Sequence, residues 1–182
     1  MICILGKTAS GKDTIVNRLI SEHSYKKMIT FTTRPMRQNE KQDVTYHFIS
    51  EEDFFNKVNN GFFAEWKSYK TEFGVWYYGT SLEDLNNAKE NTVIILTPDG
   101  YRDIIKKMNN KPKSIYINAN DLTIKQRLVD RGDDKNEAQR RLEHDNIDFK
   151  DIENEVDLVL YNNQGTDIED IVTQILKFSG DN

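Results

Sequence analysis

The chain has 182 residues, 25 basic and 30 acidic, for a net charge of −5. That is the length of one ordinary domain, with an acidic balance that argues against a duplex nucleic-acid binder. Leu, Ile, Val and Phe make up about a quarter of the residues, above the roughly 20% floor below which packed cores fail, and a mean hydropathy of −0.73 points to a modest core under a charged surface. Disorder, a collagen repeat and a membrane span are excluded, since no apolar run approaches the ~18 residues a span needs. The lone Cys3 rules out an intramolecular disulfide and fits a reducing cytoplasm.

Short β-branched runs alternate with amphipathic stretches along the chain, the pattern of an α/β fold. Residues 1–5 read as a buried first strand, too short and too poor in flanking basic residues for a signal peptide. Residues 11–23 read as a helix with Ile15, Val16, Leu19 and Ile20 on one face. Residues 30–80 hold seven of the nine phenylalanines and both tryptophans, and look like a locally folded insert with its own aromatic cluster. Within it, Ser50-x-x-Asp53 reads as a capping box opening a helix over 50–60. Residues 92–97 and 114–118 are core strands. Residues 121–155 are helical and dense in charge, with Arg127, Arg131, Arg140 and Arg141. Residues 157–161 are the last strand. Ile168, Ile171, Val172, Ile175 and Leu176 form the stripe of a closing helix, for which Thr166-x-x-Glu169 reads as a capping box. The expected organisation is a core (1–29, 81–120 and 156–182), the insert at 30–80 and a helical lid at 121–155.

Gly6-Lys7-Thr8-Ala9-Ser10-Gly11-Lys12 carries the G-x-x-x-x-G-K pattern of a phosphate-binding loop. Glycine lets successive N–H groups curl inward toward phosphate oxygens, and the following helix adds its positive N-terminal end. Lys12 supplies a cation for the β- and γ-phosphates. Gly6, Ser10, Gly11, Lys12 and Thr14 are therefore candidate ATP-binding residues. The pattern ordinarily continues with Ser or Thr to ligate Mg²⁺, whereas Asp13 follows here. Its carboxylate is either a hard oxygen ligand for Mg²⁺ or a first-turn acid favoured by the helix dipole. His23, His47 and His144 show no metal-ligand spacing.

Further along, Thr30-Phe31-Thr32-Thr33-Arg34-Pro35-Met36-Arg37 places two arginines three apart beside a stiffened turn, a geometry that can clamp one phosphate from two directions. With the Gly6–Thr14 loop, Tyr46-His47-Phe48, Phe63-Ala64-Glu65-Trp66 and Tyr77-Tyr78-Gly79-Thr80, the chain resembles guanylate kinase over essentially its whole length. The resemblance implies a P-loop parallel sheet flanked by helices, a small mixed-β monophosphate-binding insert and a helical lid. It implies transfer of the ATP γ-phosphoryl group to GMP or dGMP with Mg²⁺, the insert closing over the acceptor and the lid over ATP. Arg34, Arg37, Tyr46 and Tyr78 would hold the acceptor phosphate. Thr30, Glu65 and Thr80 would face the base or adjoining oxygens, Glu65 accepting from guanine N1–H and N2–H₂. Lys12, Arg131 and Arg141 would surround the transferring group, and Asn162 would contact the adenine.

The chain also departs from that family. Residues 93–100 align with a strand that usually carries two acids, replaced here by Ile95 and Thr97. Metal placement is then expected at Asp13 or Asp99, and guanine selectivity is expected to weaken, because buried polar pairing drives such discrimination. Thr97 still offers a hydroxyl to the base. The lid is one residue shorter than usual, which leaves open whether Arg140 or Arg141 points inward. Alternatives are a (deoxy)nucleoside monophosphate kinase of altered base specificity, a catalytically weak guanylate-kinase-like binding module, and a sugar-phosphate kinase. Small-molecule nucleotides are the expected partners, with no nucleic acid or membrane, for a cytoplasmic monomer or weak homodimer.

Overall fold

A computed structural model of the chain describes residues 1–180 apart from Asn39, Glu72 and Asn109. Its elements begin with β1 (Ile2–Leu5), α1 (Lys12–Glu22), β2 (Lys26–Lys27), β3 (Phe31–Thr32), β4 (His47–Phe48) and α2 (Glu51–Asn59). Next come β5 (Phe63–Thr71), β6 (Gly74–Ser81), α3 (Leu82–Asn86), β7 (Thr92–Leu96) and α4 (Pro98–Lys107). The chain finishes with β8 (Lys113–Asn118), α5 (Asp121–Asp130), α6 (Lys135–Asp148), β9 (Leu158–Tyr161) and α7 (Ile168–Ser179). It divides into two compact units, the first formed by Met1–Lys27, Glu90–Asp99 and Pro112–Asn182, the second by Met28–Lys89 and Gly100–Lys111. The second unit is wider than the expected insert, since it also takes in α3 and the body of α4.

The first unit is built on a five-stranded sheet in the order β2-β7-β1-β8-β9, every pair parallel. All four residues of β1 are buried, as a central parallel strand covered on both faces requires. Ile4 stands between Ile95 of β7 and Ile115 of β8. Ile15, Val16 and Leu19 of α1 and Ile171, Val172 and Ile175 of α7 share one core with these strands. Each such side chain contributes roughly 1.5–3 kcal/mol by leaving water. The closing helix starts one residue later than expected. Asp167, not Thr166, is its N-cap and accepts from the Glu169 N–H at 3.0 Å, while Thr166 N–H is taken by the Asn163 carbonyl.

The helical stretch after β8 resolves into α5, α6 and a short 3-10 turn at Ile152–Asn154. Gly132, with φ at +75°, follows the end of α5 in the left-handed conformation that suits glycine. A second small core of Ala119, Ile124, Leu128 and Leu142 joins α5 to α6, with Ala9 and Ala138 packed against it. Phe149 stacks on Tyr116 of β8 at 5.6 Å. No helix among the described residues is long and apolar enough to cross a membrane.

The second unit holds a mixed four-stranded sheet in the order β4-β3-β6-β5, with β3 parallel to β4 and the other pairs antiparallel. Ser50 caps α2 as expected, accepting from Asp53 N–H at 3.0 Å. The aromatic cluster centres on Phe54, stacked on Phe63 at 4.6 Å and 5.6 Å from Tyr77. Gly79 of β6 is pressed against this cluster: a Cβ there would lie 2.8–3.0 Å from three ring carbons of Phe63. Phe63 is held by Phe54 and cannot retreat, so Gly79→Ala overpacks the site. It is expected to destabilise the fold by about 1–3 kcal/mol, read as a lower denaturant midpoint at unchanged slope; an unchanged midpoint would contradict this packing.

Candidate active site

The loop between β1 and α1 begins at Gly6 because no side chain fits there. A Cβ would come within 2.5 Å of Ser10 Oγ and 3.0 Å of the Ile117 carbonyl. Ala9 at φ +53° and Gly11 at φ +91° are the left-handed residues that turn consecutive N–H groups into an anion-binding nest. Gly11 is constrained twice, since a Cβ would also lie 2.2 Å from Asn162 Nδ2. Inside the loop, the Lys7 carbonyl accepts from Ser10 N–H at 3.2 Å and from Lys12 Nζ at 3.2 Å. Ser10 Oγ is buried without a hydrogen-bond partner among the described residues.

Residues distant in sequence hold the rest of the loop. Asn162 Nδ2 donates to the Ser10 carbonyl at 2.8 Å. Arg127 reaches the Ala9 carbonyl and Asn162 Oδ1, both at 3.2 Å. Asp145 Oδ2 accepts the Thr8 N–H at 2.6 Å, and Lys7 Nζ donates to Asn146 Oδ1 at 2.6 Å. Burial pushes the Asp145 carboxyl up, against the pull of the Thr8 N–H and Lys12. The Asn162 side chain, 1% exposed, lies under the loop as a brace, a contact that its expected place beside the adenine did not suggest. Sequence reading also missed Arg127 as a brace and gave Asp145 no part; both act through partners more than a hundred residues away.

Asp13 and Thr14 are exposed in the first turn of α1, with Asp13 Oδ2 4.0 Å from Lys12 Nζ. Asp99 is exposed in the first turn of α4, and Thr97 is half-buried just before it. Ile95 packs against the main apolar core, so that position offers nothing to a cation. Among the described residues no three His, Cys, Asp or Glu side chains converge on a metal position. Mg²⁺ takes one or two protein carboxylates and otherwise phosphate and water, which single acids such as Asp13 and Asp99 satisfy.

The helical segment brings its arginines onto carboxylates. Arg131, at the C-terminal end of α5, grips Asp133 with Nε–Oδ1 at 2.6 Å and Nη2–Oδ2 at 2.5 Å. Arg140 Nε and Arg141 Nε both donate to Glu137, at 2.8 and 2.7 Å.

In the second unit, Arg34 is only 5% exposed. It donates to Glu40 Oε1 at 2.6 Å and to the Pro35 carbonyl at 2.8 Å, with its guanidinium 5.6 Å from the ring centres of Tyr46 and Phe48. Tyr46 and Tyr78 meet at 6.0 Å, so Arg34 and both tyrosines are assembled in one place. Arg37 is exposed, and its backbone N–H donates to Glu40 Oε2 at 2.8 Å. Glu40 is a residue the sequence reading overlooked. Burial alone would lower Arg34 and raise Glu40, but their bond holds each on its charged side.

Glu65 and Thr80 form the second part of this half-site. The Thr80 hydroxyl donates to Glu65 Oε1 at 2.5 Å, and burial pushes the Glu65 carboxyl up against that bond. Glu65 lines a recess of about 360 Å³ with Val58, Phe63, Trp66, Asp103 and Lys107. Thr30 precedes β3, and its carbonyl accepts from His47 N–H at 2.9 Å.

The guanylate kinase family model matches residues 1–179. The guanylate kinase of Campylobacter jejuni (strain RM1221) is 31% identical over 171 residues, covering 90% of this chain and 81% of its own. That of Prochlorococcus marinus subsp. pastoris is 31% identical over 182 residues, covering 97% and 95%. The crystal structure of guanylate kinase from Anaplasma phagocytophilum shares the fold, with a TM-score of 0.71 at 23% identity over 99% of this chain and 84% of that one. A phosphate loop in one unit, an arginine–tyrosine cluster and a half-buried glutamate in the other, and a match along nearly every residue agree: the chain belongs to the guanylate kinase family.

Proposed function

We propose that the protein transfers the γ-phosphoryl group of ATP to GMP or dGMP, giving ADP and GDP or dGDP. The observation that carries this reading is the Glu65–Thr80 pair beside the recess. A P-loop fold does not need it, and a guanine does. The carboxylate of Glu65 presents two acceptor oxygens to the N1–H and N2–H₂ donors of guanine, and the Thr80 hydroxyl fixes one of them. Adenine lacks that donor pair, so it would leave the half-buried acceptor unmatched, a mismatch that lets binding sites discriminate.

Arg34, Arg37, Tyr46 and Tyr78 are assigned to the acceptor phosphate, with Thr30 beside them and Thr97 as a further hydroxyl for the base. Gly6, Ser10, Gly11, Lys12 and Thr14 are assigned to the ATP phosphates. In the reaction an oxygen of the acceptor phosphate bonds to the γ-phosphorus while the bond to the β–γ bridging oxygen breaks, and ADP leaves. The acceptor is already a phosphate oxygen, so no general base is required. Positioning and neutralisation of charge carry the step, and Lys12, Arg131 and Arg141 supply that neutralisation. Mg²⁺, when bound, would screen the triphosphate charge, and Asp13 or Asp99 would offer it a carboxylate. The same reading takes the enzyme as a monomer or weak homodimer in a reducing cytoplasm, in keeping with a buried Cys3 whose thiol is pushed up to about 12.

Coupled ADP release should show turnover with GMP and dGMP and little with AMP, CMP, UMP or dTMP. Lys12→Ala should lower kcat by about 10²–10³-fold, as loss of a transition-state charge partner does. Glu65→Gln should raise KM for GMP, whereas a sugar-phosphate acceptor would be indifferent to it. No turnover with any nucleoside monophosphate would overturn the proposal.

The Arg140 bond, and then the Arg141 bond against burial, hold the Glu137 carboxyl down at about 2. A depressed carboxylate stabilises the fold in full above its ordinary value near 4.5, and the contribution disappears as pH falls toward 2. Thermal melts between pH 5 and 2 should therefore show a shallower acid limb for Glu137→Gln than for the parent protein.

A further inference from the structure

Two consecutive residues of the phosphate loop bond to α6. Lys7 Nζ donates to Asn146 and Thr8 N–H to Asp145, while Ala9 packs against the small core that joins α5 to α6. The two bonds define which face of the helix meets the loop. On an α-helix, residues four apart differ by about 40° in direction and those five apart by about 140°. Arg141, four before Asp145, therefore lies on the Asp145 edge of the face that meets the loop, about 40° from Asp145 and about 140° from Asn146. Arg140, about 140° from Asp145 and about 120° from Asn146, is turned away from both. The side-chain exposures agree, 23% for Arg141 against 35% for Arg140. Glu137, four before Arg141, continues the same stripe and holds Arg141 Nε at 2.7 Å.

Asp145 also needs an explanation that packing alone does not supply. A carboxylate beside a loop built for phosphate repels the ligand, and an amide or hydroxyl could accept one N–H as well. A charged acceptor makes a bond about twice as strong as a neutral one, which suits a contact that must keep its geometry. We propose that Asp145 is a positioning residue for phosphoryl transfer: its carboxylate, on the Thr8 N–H, sets the roll of α6 against the phosphate loop so that Arg141, and not Arg140, is the cation this helix brings to the transferring group. The inference rests on the kinase reading above and adds to it a residue that acts only through another.

The test is a double-mutant cycle on Asp145 and Arg141, read as kcat with GMP, KM for GMP and the Kd of ATP by calorimetry. Asp145→Ala is expected to lower kcat by about 10–100-fold, the effect of a misplacement near 1 Å, with KM for GMP within about twofold. Arg141→Ala should do at least as much, and the double variant no more than Arg141→Ala alone, in kcat and in ATP affinity alike. Arg140→Ala should change either by less than about threefold. Asp145→Asn keeps an acceptor for Thr8 N–H, though a neutral and weaker one, and should recover part of the loss. If Asp145→Ala does not fold, Asp145→Glu, one methylene too long, takes its place in the cycle. Effects of Asp145 and Arg141 that multiply, a larger loss for Arg140→Ala than for Arg141→Ala, or an Asp145→Asn as poor as the alanine variant would each overturn the inference. A parent protein without GMP turnover would instead sink the kinase reading, and the cycle in ATP affinity would still decide the part played by Asp145.

Discussion

Buried carbonyls must be paired, and in the phosphate loop only the Lys7 carbonyl finds its partners within the loop, in Ser10 N–H and Lys12 Nζ. For the Ala9 and Ser10 carbonyls the pairing comes from outside. The Ser10 carbonyl rests on Asn162 from the end of β9, the Ala9 carbonyl on Arg127 of α5, and Arg127 and Asn162 also bind each other. The loop is therefore held by three segments distant in sequence, with Asp145 of α6 as the third. Gly11 is obligatory in this arrangement because its missing Cβ is the space Asn162 fills. α6 also docks on the sheet directly, through Phe149 stacked on Tyr116 of β8.

A second constraint is charge. A protein with a net charge of −5 that binds two nucleotides must keep its cations oriented without neutralising them elsewhere. Three of the four arginines assigned to a phosphate are held by a carboxylate a few residues away: Arg34 by Glu40, Arg131 by Asp133, Arg141 by Glu137. These bonds fix long, flexible side chains in place, which lessens the ordering that ligand binding must otherwise impose. The acidity that composition alone shows is thus partly a scaffold for the cationic groups. Exposed pairs of this kind add little stability, whereas Arg34–Glu40, with side chains 5% and 14% exposed, is shielded enough to persist.

Much of this could be read from the chain before its structure. The core strands and the apolar faces of α1 and α7 follow from periodicity, and the phosphate loop from its glycines and Lys12, because these signals are local. The mixed sheet of the insert was recognisable mainly through family resemblance, since β3 and β4 are two residues long and carry no period. Thr166 and Asp167 are both good caps, and only the Asn163 carbonyl decided between them. Glu40, Arg127 and Asp145 were illegible for a different reason. Each looks like an ordinary surface charge until the fold supplies its partner. Asn162 stood out through resemblance, yet its place under the loop depends on contacts 152 and 35 residues away.

The external bracing of the phosphate loop is tested most directly at Asn162, whose side chain bonds both the Ser10 carbonyl and Arg127. Calorimetric titration of Asn162→Ala with ATP, alongside its thermal melt, separates loop geometry from overall folding. With the Ser10 carbonyl unpaired and Arg127 left with the Ala9 carbonyl alone, ATP affinity should fall by at least about tenfold, or about 1.4 kcal/mol, in a protein that still unfolds cooperatively. An ATP affinity equal to that of the parent protein would contradict the idea that the loop owes its shape to residues outside it.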